Sequence, residues 1–397
     1  MSPRRATGDP ARVALFASSF HPHVGGVEEL VRQLAHHQVQ SGIEPTVVTM
    51  RWPKSLPATE RFEQLDVRRY VFRSPELPPR RVAAALGLGP VTLIQLVAEL
   101  RRRRVELVHI QCVSPASWYA VQATRLLQIP LVVTLQGELT MDATALYERS
   151  AWARRCLRLV LDRADAVTAC SGHTLAEAEA WHGRAFGRRG RVIHNGVDPT
   201  DFAGRAAQAG QPADAEPYVL GIGRQVPQKG FDVLIDAFAQ LAERPDVRHR
   251  LVLAGDGPEH AALAARAAAR GLADRVELVG ATDRARTAAL FRGADVFVLP
   301  SRHEPFGIVV LEALAAGTAV VASDVGGVAE FLPRGPLARL VAPDDPSALA
   351  GGLAAVLVER ARHPATGPDA AETLRTHTWA HLEREYAEVY RTVLSGG

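Results

Sequence analysis

The sequence predicts an α/β fold of two parallel-sheet domains, and three observations lead to this prediction. Apolar, strand-like runs alternate with helical segments along the whole chain, which is the pattern of βαβ units. The length of 397 residues exceeds that of one ordinary hydrophobic core and suits two domains. A small, polar stretch rich in Ala, Gly, Gln and Pro, residues 195–216, interrupts the alternation near the middle. Two such sheets facing a central cleft would place the carboxyl ends of their strands where open α/β sheets bind ligands.

The first domain is predicted to cover residues 1–200. Its predicted strands are residues 12–17, 44–50, 67–72, 107–111, 131–135, 166–169 and 191–194. Its predicted helices are residues 27–40, 91–103, 118–127, 145–163 and 174–181. Ser171 is a natural N-cap for the last of these helices, because a serine hydroxyl accepts a hydrogen bond from a backbone N–H in the first turn.

One charge-free run, residues 82–98, has arginines on both sides, at Arg80 and at 101–104. It is short for a membrane span, and two glycines and Pro90 interrupt it, so we expect a loop that leads into the helix at 91–103. Arginines at the end of that helix complement its dipole. The alternative is a membrane-surface patch with affinity for anionic lipids, which is the less favoured interpretation.

The second domain is predicted to cover residues 217–376, after a linker at 201–216. Its predicted strands are residues 218–223, 250–254, 276–279, 296–300, 319–323 and 338–341. Its predicted helices are residues 231–244, 259–269, 284–292, 307–316, 327–332 and 346–360. The C-terminal segment 377–397 contains one further amphipathic helix, residues 379–394.

Composition excludes several classes of protein. The net charge is only +3 and aromatic residues make up 6%, which does not support a nucleic-acid binder. The three cysteines, Cys112, Cys156 and Cys170, have no metal or disulfide spacing, so we expect buried small side chains in a reducing, cytoplasmic compartment. Residues 1–10 are polar and do not read as a signal peptide. We find no D-x-D motif at a strand end and no zinc spacing, so we predict no metal site and no cofactor.

Two carboxylates bracket a predicted helix start in the second domain. Glu304 precedes Pro305, which favours a helix entry, and Gly307 lets the backbone come close to a ligand. The helix that begins there carries Glu312 and presents unpaired N–H groups and a positive dipole end, which suit a phosphate. A phosphate cradle between two acids suits a nucleotide sugar, which has a diphosphate and several hydroxyls.

Two cations follow the first strand of the second domain, in the run Gly223-Arg224 to Lys229-Gly230. Arg224 offers a planar fork and Lys229 a compact charge, and together they can hold both phosphates of a leaving diphosphate. The run lacks the third glycine of a dinucleotide fingerprint, so we do not expect NAD binding.

The whole pattern resembles the E-x7-E motif of retaining glycosyltransferases of family 4, which have the GT-B fold. The resemblance implies a donor site in the C-terminal domain, an acceptor site in the N-terminal domain, and a final helix that crosses back to the N-terminal domain. It implies that Glu304 contacts the donor sugar, that Glu312 holds the ribose, and that Arg224 and Lys229 stabilise the diphosphate. The other donor-site residues that it implies are Gly307, Ile308, Val309, Gly223, Gly257 and Val279.

The expected acceptor region combines a loop with two glycines, Gly25 and Gly26, and a polar loop after the strand at 131–135. In the first loop we expect His21 to contact the acceptor. In the second we expect Gln136 and Glu138 to do so. Gln136 stands where many family members have His, and it can donate a hydrogen bond but cannot carry a proton charge. His109 is expected to be a core histidine.

We therefore expect a retaining, metal-independent glycosyltransferase that moves a hexosyl-type sugar from a nucleotide-diphosphate sugar, of the UDP or GDP type, to a hydroxyl of a small molecule or saccharide, such as a secondary metabolite. Two alternatives stay open. One is a peripheral membrane transferase with a lipid-linked acceptor, and the other is a non-catalytic nucleotide-sugar binder. We expect the two domains to close about residues 195–216 and to exclude water from the reaction.

Overall fold

The computed structural model describes residues 12–23, 25–75, 79–139, 146–203, 216–363 and 368–396. The chain divides into two compact units. The first contains Met1–His194 together with Trp379–Gly397, and the second contains Asn195–Thr378. Each unit is a layered α/β structure around its own sheet.

The first unit has an eight-stranded sheet in the order β3-β4-β2-β1-β5-β6-β7-β8. The strands are β1 (Arg12–Ala17), β2 (Glu44–Met50), β3 (Thr59–Phe62), β4 (Leu65–Tyr70), β5 (Leu107–Gln111), β6 (Leu131–Leu135), β7 (Ala166–Ala169) and β8 (Gly190–Val192). All neighbours pair in parallel except β3 and β4. Central strands such as β5 and β6 are buried at every position, because helices cover both faces of the sheet.

The helices of this part of the chain are α1 (Gly26–Gln40), α2 (Pro79–Arg102), α3 (Ser117–Leu127), α4 (Leu146–Arg149), α5 (Ala151–Arg163) and α6 (Gly172–His182). The predicted cap on α6 is confirmed, since the Ser171 hydroxyl accepts a hydrogen bond from the Thr174 N–H. Ser150 plays the same role for α5, and it divides the helix predicted at 145–163 into α4 and α5.

The second unit has a fully parallel six-stranded sheet in the order β11-β10-β9-β12-β13-β14. The strands are β9 (Tyr218–Ile222), β10 (Arg250–Ala254), β11 (Val276–Gly280), β12 (Val296–Leu299), β13 (Ala319–Ser323) and β14 (Ala338–Val341). The helices are α7 (Pro199–Phe202), α8 (Phe231–Ala242), α9 (His260–Ala269), α10 (Arg284–Gly293), α11 (Ile308–Ala315), α12 (Val328–Phe331), α13 (Pro346–Arg362) and α14 (Pro368–Thr376).

The strand order places a topological switch point between β9 and β12. Counted from β9, the order is 3-2-1-4-5-6, so the chain turns to opposite sides of the sheet after these two adjacent strands. The carboxyl ends of two such strands form the edge at which open α/β sheets bind ligands. In the first unit β1 and β5 are adjacent in the same way.

The last helix, α15 (Trp379–Leu394), belongs to the first unit, as the resemblance implied. Its Tyr390 hydroxyl lies 3.0 Å from Gln38 Nε2 and 2.7 Å from His109 Nδ1. Its Tyr386 hydroxyl lies 3.0 Å from Thr134 Oγ1. The prediction that His109 is a core residue is confirmed, and its complete burial lowers the pKa of the imidazole to about 3.

The predicted break before residue 91 is wrong. The helix α2 begins at Pro79 and continues through Gly87, Gly89 and Pro90 for 24 residues. Leu96 and Leu100 bury this helix in the core, and that packing outweighs the low helix propensity of glycine and proline in an exposed turn. Within the described parts of the chain, no helix combines the length and apolar character that crossing a bilayer requires.

Three further segments differ from the prediction. The hairpin partner β3 was not predicted, because three of its four residues are polar and none is buried. The helix α14 was also not predicted. The interruption at 195–216 contains α7, which Asp198 caps and which buries Phe202 against Phe291. The rest of the predicted linker, residues 204–215, lies outside the described residues.

Candidate active site

One acid and one base from different motifs meet at the carboxyl edge of the second sheet. Lys229 follows β9 and Glu304 follows β12, and the Lys229 Nζ lies 2.6 Å from Glu304 Oε2. The Ser301 hydroxyl donates a second hydrogen bond to the same oxygen, at 3.1 Å. Glu304 is 8% exposed. The structure thus joins two residues that the sequence separates by 75 positions.

Glycines allow the loops at this edge to touch. Gly230 has a φ of +64°, and a Cβ there would lie 2.1 Å from the Pro300 carbonyl oxygen. Gly326, in the loop after β13, has a φ of +57°, and a Cβ there would lie 1.8 Å from the Glu304 carbonyl oxygen. Side chains at either position would separate the loops, so both glycines hold Glu304 and Lys229 in register.

An ion pair that the sequence analysis missed clamps the same two loops. Arg302 donates to both carboxylate oxygens of Asp232, at 2.9 and 2.7 Å, and to the Pro227 carbonyl at 2.7 Å. Burial alone would raise the pKa of Asp232, but the hydrogen bonds and charge of Arg302 hold it below its ordinary value. Arg302 lies two residues before Glu304 and Asp232 two residues after Gly230, which is the only signal of this clamp in the sequence.

The helix α11 begins where the sequence predicts. Gly307 is its N-cap with a φ of +90°, and Ile308 and Val309 form the first turn. The first N–H groups of such a turn have no partner within the helix. Glu312 lies on α11 one turn later and is half-buried. The arrangement offers a positive helix end beside a carboxylate.

The loop after β9 is built around a buried glutamine. Gln225 is completely buried, and its Nε2 donates to the Gly255 carbonyl at 2.9 Å while its Oε1 lies 2.8 Å from His260 Nδ1. The backbone of Gln225 also leaves no room for a side chain at position 257. A Cβ added to Gly257 would lie 2.3 Å from the Gln225 carbonyl oxygen. The motif itself does not indicate this role of Gln225, because the partners of its side chain lie in the next βα segment.

Arg224 is exposed, and among the described residues it forms no ion pair. The adjacent Gly223 donates its N–H to the Ala254 carbonyl at 3.0 Å, which ties this loop to the end of β10. Val279 is half-buried in β11, one strand further out. The described loops thus present Arg224 to solvent, on the same loop as the partly buried Lys229.

In the first unit, the two-glycine loop follows β1 and starts α1. Gly25 is the N-cap and Gly26 the first helical residue. The His21 ring stacks on Phe62 with centroids 3.9 Å apart, and the His21 carbonyl accepts a hydrogen bond from Arg69 at 2.6 Å. The loop is therefore fastened to the neighbouring β3–β4 hairpin.

The carboxylate of Glu138 accepts hydrogen bonds from backbone N–H groups of two loops, a role that the sequence did not indicate. One carboxylate oxygen accepts the Val113 N–H at 2.6 Å, and the other accepts the Gln136 N–H at 2.9 Å. It is 9% exposed, and burial raises the pKa of the carboxyl group. Glu138 therefore holds together the loops after β5 and β6, whereas its contact with an acceptor stays a prediction. Gln136 is half-buried in the same loop.

Cys156 and Cys170 are buried, as predicted, and Cys112 is partly buried. Among the described residues, no group of three or more His, Cys, Asp or Glu side chains is arranged to hold a metal ion. Metal independence itself stays a prediction.

A compositional signal for Lys229 was also missed. Of the 46 cationic residues only Lys54 and Lys229 are lysines, and all others are arginines. A chain that uses arginine almost everywhere has placed a compact ammonium against Glu304, where a guanidinium would need more room.

Comparison with known proteins identifies the family. Residues 24–201 match the family model "Glycosyltransferase Family 4", and residues 205–372 match the model "Glycosyl transferases group 1". The chain is 32% identical over 383 residues to the phosphatidyl-myo-inositol mannosyltransferase of Mycobacterium tuberculosis, with 94% of each protein covered. It is 31% identical over 395 residues to the D-inositol 3-phosphate glycosyltransferase of Thermobispora bispora, with 93% of this chain and 90% of that protein covered.

A solved structure shows the same architecture. The sucrose-phosphate synthase of Thermosynechococcus elongatus superimposes with a TM-score of 0.75 at 25% identity, covering 97% of this chain and 100% of that one. Its likeness extends over both parallel sheets described above. The chain therefore belongs to glycosyltransferase family 4, and it is a glycosyltransferase of the GT-B fold.

Proposed function

We propose that this glycosyltransferase transfers a hexosyl-type sugar with retention and without a metal ion, from a nucleotide-diphosphate sugar bound by the second unit. The observation that carries the proposal is the contact between Lys229 and Glu304, 2.6 Å apart at the switch point between β9 and β12. Ligands of open α/β sheets bind at such a point. The start of α11 lies in the same loop as Glu304, which adds a phosphate-binding helix end.

We assign binding of the diphosphate to the cationic side chains at the carboxyl edge of the second sheet. Arg224 is exposed and free to reach a phosphate, and Lys229 is held in place by Glu304 before the donor arrives. Amides of Ile308 and Val309 add neutral donors. These groups stabilise the negative charge that develops on the leaving diphosphate, which is the role that a divalent metal has in other transferases.

The two glutamates have different tasks. Glu304, which accepts hydrogen bonds from Lys229 and Ser301, faces the donor sugar, where positive charge develops as the bond to the phosphate breaks. Glu312, further along α11, holds the ribose hydroxyls. The acceptor oxygen attacks the anomeric carbon from the side of the departing diphosphate, and the phosphate oxygen takes the acceptor proton.

A thermal-shift screen with UDP-, GDP-, ADP- and dTDP-sugars in EDTA tests the donor assignment. A donor that binds the folded protein raises the melting temperature by mass action, and we expect a UDP- or GDP-sugar to do so. NMR of the product then shows whether the anomeric configuration is retained. A screen without any stabilising nucleotide sugar, or an inverted product, would refute the proposal.

We propose that the acceptor is a small molecule or saccharide bound by the first unit near Gly25, Gly26, His21 and Gln136. These residues follow β1 and β6, at the carboxyl edge of the sheet that contains its switch point. One of the two relatives is named for a soluble acceptor, inositol 3-phosphate, and the other for a lipid acceptor.

A lipid-linked acceptor is the second candidate, and the surface of α2 favours it. Leu86 and Ile94 are 72% and 68% exposed, and Leu88 and Val91 are about half exposed. An apolar helix surface near several arginines suits the interface of an anionic membrane. Co-sedimentation with phosphatidylglycerol vesicles that Leu86→Gln and Ile94→Gln abolish would support this candidate, and no sedimentation at low salt would eliminate it.

A further inference from the structure

A cavity of about 680 Å³ lies in the first unit, between the ends of β2 and β4 and the helix α2. Five arginines contribute to its lining: Arg51, Arg68, Arg69, Arg73 and Arg102. Glu99 is the acid that lines it. Leu88 and Val91 of α2 form an apolar part of the wall. The cavity therefore combines a strong excess of positive charge with an apolar side.

Three of these arginines already have carboxylate partners. Glu99 accepts hydrogen bonds from Arg68 at 2.7 Å and from Arg102 at 2.8 Å, and it also pairs with Arg103, which lies outside the lining. Arg69 forms an ion pair with Glu60 at 2.6 Å. Because carboxylates already engage these three guanidinium groups, the positive charge that is most accessible to a ligand comes from elsewhere in the cavity.

Arg51 and Arg73 supply it, since among the described residues neither has a carboxylate within ion-pair distance. Both are nevertheless oriented. The Arg51 Nε donates to the Leu56 carbonyl at 2.6 Å, and the Arg73 Nη1 donates to the Val71 carbonyl at 3.1 Å. A guanidinium has five N–H donors, so each side chain keeps most of its donors for a ligand.

The position of the two arginines connects them to the acceptor region. Arg51 directly follows β2 and Arg73 follows β4, so both lie at the carboxyl edge of the sheet, where the Gly25 loop also begins. The two strand ends are joined, because the Arg51 N–H donates to the Tyr70 carbonyl at 2.8 Å.

We propose that this cavity binds a phosphate group carried by the acceptor, with Arg51 and Arg73 as its ligands, an inference that rests on the proposed function. A guanidinium fork matches two oxygens of a phosphate, and two forks match its double negative charge. The carbon skeleton of the acceptor then lies against Leu88 and Val91. The phosphate can belong to a soluble phosphate ester or to a lipid headgroup, and the chemistry of recognition is the same for both.

Calorimetric titration of the full chain with inorganic phosphate and with glycerol 3-phosphate tests this assignment without any donor. We expect binding by the wild type, and a loss of about tenfold in affinity for Arg51→Gln and for Arg73→Gln, as is typical of one charged hydrogen-bonding partner. The matched control is Arg101→Gln, which removes an exposed arginine of α2 outside the cavity and should leave the affinity unchanged. Arg51→Lys and Arg73→Lys, which keep the charge but lose the fork, should fall in between.

Vesicles distinguish the two sources of the phosphate. If free esters bind and phosphatidylinositol vesicles do not, the acceptor is soluble. If only the vesicles bind, and Arg51→Gln and Arg73→Gln weaken that binding, the phosphate is a headgroup. Binding of neither probe, or an equal loss in Arg101→Gln, would overturn the inference. Arg51→Gln and Arg73→Gln should bind nucleotide sugars like the wild type. A wild-type protein that binds phosphate but no nucleotide sugar would therefore refute the proposed function and leave the phosphate site intact.

Discussion

Glu304 obtains its chemical character from residues that are distant in the sequence. The 2.6 Å contact with Lys229 and the hydrogen bond from Ser301 give a nearly buried carboxylate two polar partners, and burial of an acid without such partners would be costly. The E-x7-E spacing predicted both glutamates and the helix start between them. It could not predict the partner of Glu304, because that partner comes from a loop on an adjacent strand.

Removal of this single charge is expected to affect turnover more than binding. Glu304→Gln preserves the size of the side chain and can still accept from Ser301, but it no longer opposes positive charge on the sugar. We expect kcat to fall by roughly a hundredfold or more while the donor affinity changes only severalfold. Initial rates and calorimetry measure both quantities. Glu243→Gln, on the exposed end of α8, is the control, and equal rates for the two variants would contradict the role of Glu304.

Buried polar residues between the motifs were the least predictable ones. Gln225 and Arg302 have partners 30 to 75 residues away in the chain, so local patterns hold no information about them. The low number of lysines in the chain is a signal that composition did contain. It singles out Lys229 and Lys54, and only the structure shows which of these two lies beside an acid.

At the scale of elements, the loops after β9 and β12 act as one unit because Arg302 clamps them. Asp232→Asn keeps the shape of the partner and removes its charge, so Arg302 retains its bond to the Pro227 carbonyl. We expect stability to fall by about 1 kcal/mol, since the pair is partly exposed, and kcat/KM to fall because Lys229 and Glu304 lose their register.

Urea unfolding and initial rates check this prediction. The matched control is Asp246→Asn, which breaks a surface pair with Arg244 of similar geometry but away from the site. A loss of stability without any loss of kcat/KM would show that the clamp is structural only.

The attachment of α2 to the sheet depends on pH through Glu99. Burial alone would raise its pKa, but hydrogen bonds from Arg103, Arg102 and Arg68 lower it from 4.5 to about 2. Because the folded state has the lower pKa, its stabilisation is complete above about pH 4.5 and is lost as the pH falls toward 2.

Glu99→Gln should therefore be less stable than the wild type at pH 7, and the difference in unfolding free energy should shrink at pH 3. Urea titrations at pH 7 and at pH 3 measure this difference in unfolding free energy. Glu44→Gln, whose carboxylate has no ion pair among the described residues, is the control at the start of β2. A difference that does not depend on pH would mean that the charge of Glu99 contributes nothing.

Elements with strong periodicity were predictable, and those fixed by tertiary contacts were not. Parallel strands such as β6, which is apolar at four of its five positions, were located to the residue. The helix α2 was cut short because glycine and proline signals were weighed without the packing of Leu96 and Leu100. The hairpin strand β3 has a single apolar residue, Phe62, and only its pairing with β4 defines it.

At the scale of the whole molecule, the first unit includes the helix α15, which is far from the rest of that unit in the sequence. The helix α15 fills the polar core of that unit, where Tyr390 satisfies Gln38 and His109. The sequence predicted the helix by its periodicity, whereas its destination came from the family resemblance. No local pattern indicates that residues 352 positions apart share a hydrogen bond.

Tyr390→Phe tests this closure. The substitution keeps the ring but leaves buried donors and acceptors of Gln38 and His109 unpaired, so we expect a loss of about 1–3 kcal/mol in the free energy of unfolding. Chemical denaturation followed by circular dichroism measures the loss, and the donor affinity of the second unit should stay the same. An unchanged unfolding midpoint would show that Tyr390 does not support the first unit.

The central claim is that Lys229 grips the donor diphosphate without a metal, and the two lysines of the chain allow a direct test. Calorimetry in EDTA should show that Lys229→Gln weakens the binding of the donor identified by the thermal-shift screen by at least about tenfold. Lys54→Gln, which makes the same change at an exposed position of the first unit, should bind like the wild type. Equal affinities for the two variants, or no binding by the wild type in EDTA, would contradict the account.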